Sequence, residues 1–207
     1  SLFSLPENVN FNFIESDILK ADLGKYFQDI DVVIHLAAIT DATSSFERGK
    51  EIEQVDFIGT EKIAKACIEN NVKLIFPSTT SVYGLQHDIV DEECPVEDLK
   101  PQSPYAENKL KSEQLLLKFA KEDGLKFITC RFGTIFGTSI GMRFHTAFNK
   151  FCWQAVMGQR ITVWKTAMDQ KRPYLGVNDA VRAIKFIIDN DFFDNDIYNV
   201  VSSNKTV

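Results

Sequence analysis

The 207 residues carry 23 basic and 29 acidic side chains for a net charge of −6, with 44% hydrophobic and 25% charged residues. This is ordinary globular composition, with apolar mass for one domain, or one and a part. No basic cluster favours a nucleic acid or an anionic membrane, no apolar run approaches the ~20 residues of a membrane span, and no signal peptide is visible, which leaves a small-molecule partner.

Along the chain, short apolar runs alternate with longer helical patterns. "NFNFIES" (10–16), "DVVIHLAA" (31–38), "VKLIFPSTT" (72–80) and "LKFITCRFG" (125–133) read as strands, the middle ones apolar on both faces as in a covered parallel sheet. Between them, residues 46–70 place Ile52, Val55, Ile58, Ile63, Ala66 and Cys67 at helical spacing. Residues 104–123 do the same with Leu110, Leu116, Leu117 and Ala120, from a Ser103-Pro104 start to Gly124. Strand and helix in alternation predict an α/β doubly wound fold with a parallel sheet. After Gly133 the pattern predicts a loop and helix over 141–158, strands at "RITVW" (160–164) and "PYLGV" (173–177), a helix over 178–190 and a strand at "DIYNVV" (196–201).

Cys67, Cys94, Cys130 and Cys152 contain no C-x-x-C pair and read as buried free thiols, which points to a reducing, cytoplasmic compartment. His35, at the end of an apolar strand, reads as a satisfied core histidine. His87 and His145 have no partners at metal-ligand spacing, so no metal is assigned. The helical spacing of Phe144, Phe148, Phe151 and Trp153 reads as packing, with a substrate pocket as the other possibility.

In doubly wound sheets, ligands sit outside the carboxyl ends of the strands. Small and hydroxyl residues collect at those ends in Ala37-Ala38-Ile39-Thr40, Ser78-Thr79-Thr80-Ser81 and Gly133-Thr134. "SPYAENK" (103–109) then sets Tyr105 and Lys109 four residues apart, on one face of a helix. A free phenol, with a pKa of about 10, is too weak an acid for neutral pH, and an ammonium within ~4–6 Å lowers it. A nearby hydroxyl could hold a substrate oxygen while the tyrosine exchanges its proton, as hydride transfer at a carbinol carbon requires.

With these segments the chain resembles the extended short-chain dehydrogenase/reductases, the NAD-dependent sugar epimerase/dehydratase group. The resemblance rests on "ESDI" (15–18), "VVIHLAA" (32–38), "GTEKIAKAC" (59–67), "PSTTSVYG" (77–84), "DEECP" (91–95), "SPYAENK", "CRFGTIFG" (130–137) and "RPYLGVNDAVRA" (172–183). It implies an enzyme that uses NAD or NADP on a nucleotide-linked sugar, by hydride transfer. Asp17 and Ile18 match the pair at the cofactor adenine, and Leu36, Ala37 and Ala38 the stretch along its diphosphate and ribose. Thr79 matches the catalytic hydroxyl, Tyr105 the acid/base, and Lys109 the residue that holds the nicotinamide ribose and tunes the tyrosine. Thr80, Ser81 and Thr134 fall at substrate-facing positions, and Arg172 matches an arginine that pairs with substrate phosphate. A homodimer through the helices at 46–70 and 104–123 is implied by the same analogy.

The departures are informative. Dehydratase members carry Asp and Glu after the catalytic threonine, where this chain has Thr80 and Ser81, so the expectation is an epimerase or reductase and not a dehydratase. Thr134 and Asp56 stand where asparagines are usual. The Gly-rich pyrophosphate turn and its flanking strands do not occur in these residues, so the resemblance implies an excerpt shortened at both ends. The expected sheet lacks its first βαβ segment and has a gap at its centre, between the 10–16 and 31–38 strands. Residues 1–140 read as a partial dinucleotide-binding domain and 141–207 as a partial substrate-binding region interleaved with the last core elements. The rival expectations are a non-catalytic dinucleotide-binding or scaffold protein of the same fold, or an inactive fragment of the enzyme.

Overall fold

The computed structural model describes residues 10–40, 48–85, 90–144, 146–163, 165 and 170–206. His87, His145, Trp164 and the first two residues of the expected 46–70 helix lie outside them.

Strands β1 (Val32–Ile34), β2 (Lys73–Thr79), β3 (Phe127–Phe132) and β6 (Ile197–Val200) form one parallel sheet in the order β1-β2-β3-β6. The central strands are buried on both faces because helices cover both. On one face Leu74, Phe76 and Phe127 meet Ile63, Ala66 and Cys67 of α3 (Gly59–Asn70) and Leu116 of α4 (Pro104–Asp123). The short α1 (Leu23–Tyr26) packs there too, through Leu23. On the other face Ile75, Ile128 and Cys130 meet Ala180 and Ile187 of α6 (Val177–Asp189). The period-2 alternation of 74, 75 and 76 thus feeds two cores, and each large apolar side chain so buried contributes roughly 1.5–3 kcal/mol. This is the doubly wound, Rossmann-like arrangement expected.

Helix α4 starts where expected because the Ser103 hydroxyl accepts from Ala106 N at 3.2 Å and Pro104 presets the first turn, and it ends on Gly124 at φ 73°. The expected 46–70 helix is present from Gly49 but is not uniform. Between α2 (Gly49–Ile52) and α3, residues Glu53–Ile58 form a π-helical stretch, in which Gly59 N reaches back to Gln54 O. Wide turns of this kind occur often at functional sites.

A second, three-stranded sheet joins β4 (Thr134–Phe136), β5 (Arg172–Gly176) and β7 (Ser203–Lys205), with β4 and β5 parallel and β5 and β7 antiparallel. Helix α5 (Ala147–Val156) lies beside it, where Phe148 stacks on Phe136 at 4.4 Å and faces Tyr174 at 6.2 Å.

Two expected strands are corrected. Residues 10–16 form no ladder, and Phe11, Phe13 and Ile14 are 52%, 58% and 47% exposed. A strand is defined by its neighbour, and among the described residues none pairs with this segment or with the outer edge of β1. Residues 160–163 likewise form no strand. The four thiols are all free, but only Cys67 and Cys130 are fully buried, while Cys94 is partly covered and Cys152 exposed. Phe144, Phe148 and Trp153 are each at least 40% exposed, so the aromatic group does not form a closed core. No helix among the described residues is long and apolar enough to cross a membrane.

Candidate active site

A cleft of about 540 Å³ opens at the carboxyl ends of the parallel strands. His35, Leu36, Ala38 and Thr40 line it after β1, Pro77, Ser78, Thr79 and Ser81 at and after β2, and Tyr105 and Lys109 from the first turns of α4. Thr134, Arg143, Thr146 and Asn149 close its other side.

Thr79 ends β2, and its Oγ1 accepts from Ser81 N at 3.1 Å, capping the tight turn Thr80–Tyr83. The hydroxyl keeps its own proton for another acceptor. Gly84 closes that turn at φ 68°, where a Cβ would lie 1.9 Å from the Lys100 carbonyl oxygen, so only glycine fits. Lys109 is 3% exposed. Its Nζ donates to Pro77 O at 2.9 Å and sits 4.5 Å above the Phe76 ring and 6.0 Å from the centre of the Tyr105 ring. Burial brings this ammonium down to about 8, with Asp56 and Glu113 working in the other direction.

Burial, reinforced by the Asp56 carboxylate, pushes the Tyr105 phenol above its ordinary value, and the cation that opposes this is Arg143. Lys109 meanwhile stays within reach of the same ring while it donates to the Pro77 carbonyl and lies over the Phe76 face. Arg143, an exposed residue, donates from Nη1 to the Thr40 hydroxyl, and Asn149 Nδ2 holds its backbone carbonyl at 3.0 Å.

Behind the cleft lies Asp56, fully buried in the π-helical stretch. Its Oδ1 accepts from Ile39 N at 2.7 Å, while Oδ2 has no hydrogen-bond partner among the described residues. Burial raises this carboxyl, and the Ile39 N–H and Lys109 pull it back. His35 is buried as expected, with Nε2 3.0 Å from Thr60 Oγ1. Because that hydroxyl gives its one proton to Asp56 O at 2.5 Å, Nε2 must be the donor. Burial, with Lys109 nearby, lowers the imidazole to about 4.

Beneath Thr79 runs a buried ionic network. Arg131 and Glu113, 3% and 1% exposed, pair at 2.7 Å from Nη2 and 3.1 Å from Nε. Ser78 donates to the same carboxylate at 2.5 Å, and Arg131 Nη1 donates at 2.9 Å to Tyr83, whose hydroxyl lies 3.0 Å from Asn199 Oδ1. The network joins β2, α4, β3 and β6 under the site. Its clue was an arginine inside the apolar run "FITCRF", which requires a buried acid. Asp56 and Arg143 carried no comparable signal of proximity, since a π-helical turn and a loop bring them to the cleft.

Other expected residues lie elsewhere. Asp17 binds Leu19 N at 2.9 Å and Lys20 at 3.6 Å, and Ile18 packs toward Gly59. Neither lines the cleft, nor does Ala37. The Thr80 hydroxyl turns inward to Phe132 O at 3.3 Å. Arg172, exposed at the start of β5, donates to Gln170 at 3.1 Å outside the cleft.

The cleft residues fit the nicotinamide half of a dinucleotide. Leu36, 68% exposed, and the small Ala38 offer an apolar strip beside two donors, the Tyr105 hydroxyl and the Lys109 ammonium. A family model for the NAD dependent epimerase/dehydratase family matches residues 2–200. The chain belongs to that family. It is 29% identical over 198 residues to an uncharacterised UDP-glucose epimerase of Bacillus subtilis, covering 95% of this chain and 60% of the relative. It is 28% identical to a dTDP-D-glucose 4,6-dehydratase of Dictyostelium discoideum, covering 94% and 47%. Among solved structures, it resembles the UDP-glucuronic acid 4-epimerase of Bacillus cereus in complex with UDP-glucuronic acid and NAD. There the TM-score is 0.84 and the identity 28%, over 97% of this chain and 63% of that one. It also resembles a UDP-N-acetylglucosamine 4-epimerase of Methanobrevibacter ruminantium, with a TM-score of 0.83 and 27% identity over 94% and 62%. The chain thus spans about 60% of the length of the first of these relatives and of both structures. Family members among the relatives include both epimerases and dehydratases, so likeness alone gives no ground for setting dehydration aside.

Proposed function

We propose that the protein is an NAD-dependent nucleotide-sugar epimerase or reductase. The observation that carries this reading is the meeting of Thr79, Tyr105 and Lys109 with Leu36 and Ala38 in one cleft at the strand ends. When bound, the nicotinamide supplies the hydride acceptor and donor for a carbinol carbon. Leu36, Ala38 and Lys109 would hold that half of the dinucleotide. Burial and Asp56 keep Tyr105 a phenol at neutral pH, the form that gives a proton to the alkoxide of the reduction half-reaction; in the oxidation half-reaction its phenolate takes the carbinol proton as the hydride leaves for the nicotinamide. The Thr79 proton orients the same oxygen. Arg143 is the cation at the mouth of the cleft for a substrate anion, in place of the expected Arg172, while Ser81 and Thr134 face the sugar.

Elimination across a sugar needs a base and an acid at adjacent carbons. No Asp or Glu lines the cleft among the described residues, and this favours epimerisation or reduction over dehydration. A homodimer through the outer faces of α3 and α4 belongs to the same reading. The test is to incubate the full-length protein and NAD with UDP- and dTDP-hexoses and follow the sugar ring by NMR. Inversion at one carbinol carbon, or reduction of a keto sugar, is the expected result; a 4-keto-6-deoxy product would overturn the reading.

A further inference from the structure

Asn149, in the first turn of α5, joins the two ends of one wall of the cleft. Gly137, Ser139, Gly141, Met142 and Arg143 line that wall, between the end of β4 and the start of α5. Locally this stretch has little to fix it. It holds two glycines, Gly137 lies at φ 123°, and the bond from Met142 N to Ser139 O at 3.1 Å closes only its middle. Asn149 is 6% exposed, and its side-chain amide serves both ends. Oδ1 accepts from Gly137 N at 3.2 Å, and Nδ2 donates to Arg143 O at 3.0 Å. Thr146 Oγ1 adds a second donor to the Arg143 carbonyl at 3.2 Å. From that anchored backbone the Arg143 guanidinium reaches the Thr40 hydroxyl, on the side of the cleft that carries Leu36 and Ala38. A bridge between an N–H and a C=O needs an acceptor and a donor on one group, which an amide supplies and an apolar side chain of the same size does not.

We propose that Asn149 is a positioning residue for substrate, its amide clamping residues 137–143 into the cleft wall and so holding the Arg143 guanidinium where an anionic group of the nucleotide sugar binds. This rests on the functional reading given above. Arg143 makes the contact, and Asn149 acts through it. Tyr105 and Lys109 stand on α4 and Leu36 and Ala38 after β1, so the dinucleotide side is carried by other elements. Loss of the clamp therefore weakens substrate and spares NAD. The anion is a diphosphate or a sugar carboxylate, either of which suits the planar fork of an arginine.

The experiment compares Asn149→Leu and Thr146→Val with the natural full-length protein. It reads hydrogen exchange of the Gly137 amide by NMR, and by calorimetry the affinity for NAD and, with NAD bound, for UDP-glucose and UDP-glucuronic acid. Asn149→Leu is expected to speed Gly137 exchange at least ~10-fold and to weaken nucleotide-sugar binding roughly 10-fold, with NAD affinity unchanged. Thr146→Val, which loosens only the Arg143 end, should leave Gly137 protected and weaken binding roughly 3-fold. Equal losses on both ligands support the proposal with the diphosphate as the anion, and a loss confined to UDP-glucuronic acid supports it with the carboxylate. Unchanged nucleotide-sugar affinity in both variants would overturn it, as would NAD affinity that falls in step, the mark of a structural role only. If Asn149→Leu does not fold, the Thr146→Val affinities decide alone. A natural protein that binds neither nucleotide sugar would overturn the proposed function, while Gly137 exchange in Asn149→Leu would still decide the clamp.

Discussion

Lys109 Nζ donates to the carbonyl oxygen of Pro77 at 2.9 Å, so the helix that carries Tyr105 is fastened to the strand that ends on Thr79. Helix α4 and strand β2 are joined a second time, one helical turn further on, through Glu113 and Ser78. The position of the tyrosine relative to the hydroxyl therefore depends on buried polar bonds that cannot be lost singly without cost.

The Arg131–Glu113 pair should behave as a unit. Removing one partner leaves a buried charge uncompensated, so Arg131→Met is expected to destabilise the fold by roughly 3–5 kcal/mol in urea unfolding. Adding Glu113→Leu to it should recover a large part of that loss. Equal stability of the single and double variants would contradict the account.

Acid stability should carry the signature of His35. Its ring takes a proton near 4 when folded and near 6.5 when unfolded, so the native state binds fewer protons between those values. The contribution is fully present above pH 6.5, falls as the pH drops toward 4, and amounts to about 3 kcal/mol. Urea midpoints at pH 7 and 4.5 should differ less in His35→Gln than in the natural protein.

Gly84→Ala should be damaging out of proportion to its size. The added methyl meets the Lys100 carbonyl in a backbone conformation that alanine resists, and a loss of at least ~2 kcal/mol in thermal unfolding is expected. A neutral result would mean that the turn after Thr79 can relax.

Thiol chemistry should sort the cysteines by burial. Cys152 is exposed and should react promptly with a disulfide reagent in the native protein. Cys67 and Cys130, buried with thiols pushed up to about 12, should react only after unfolding.

The sequence made the doubly wound core legible because β2 and β3 are long, apolar and covered on both faces. It also made Tyr105 and Lys109 legible, since four-residue spacing on a capped helix fixes a shared face. It misled at 10–16, where alternating apolar residues describe a strand but cannot supply its neighbour. Three-residue strands such as β4 and β7 are too short to show a period. Asp56 was visible only as a departure from a family pattern, because the π-helical turn that buries it behind Lys109 has no signature in composition. Arg172 matched a motif, yet Arg143, from a loop, is the arginine that reaches the cleft.

The most direct test of the central claim is a comparison of Tyr105→Phe with the natural full-length protein, measuring turnover of a nucleotide sugar and NAD affinity side by side. The account predicts turnover reduced at least ~100-fold with NAD affinity nearly unchanged, because the phenol hydroxyl moves the proton while the ring and Lys109 stay in place. Turnover that survives the substitution would contradict it.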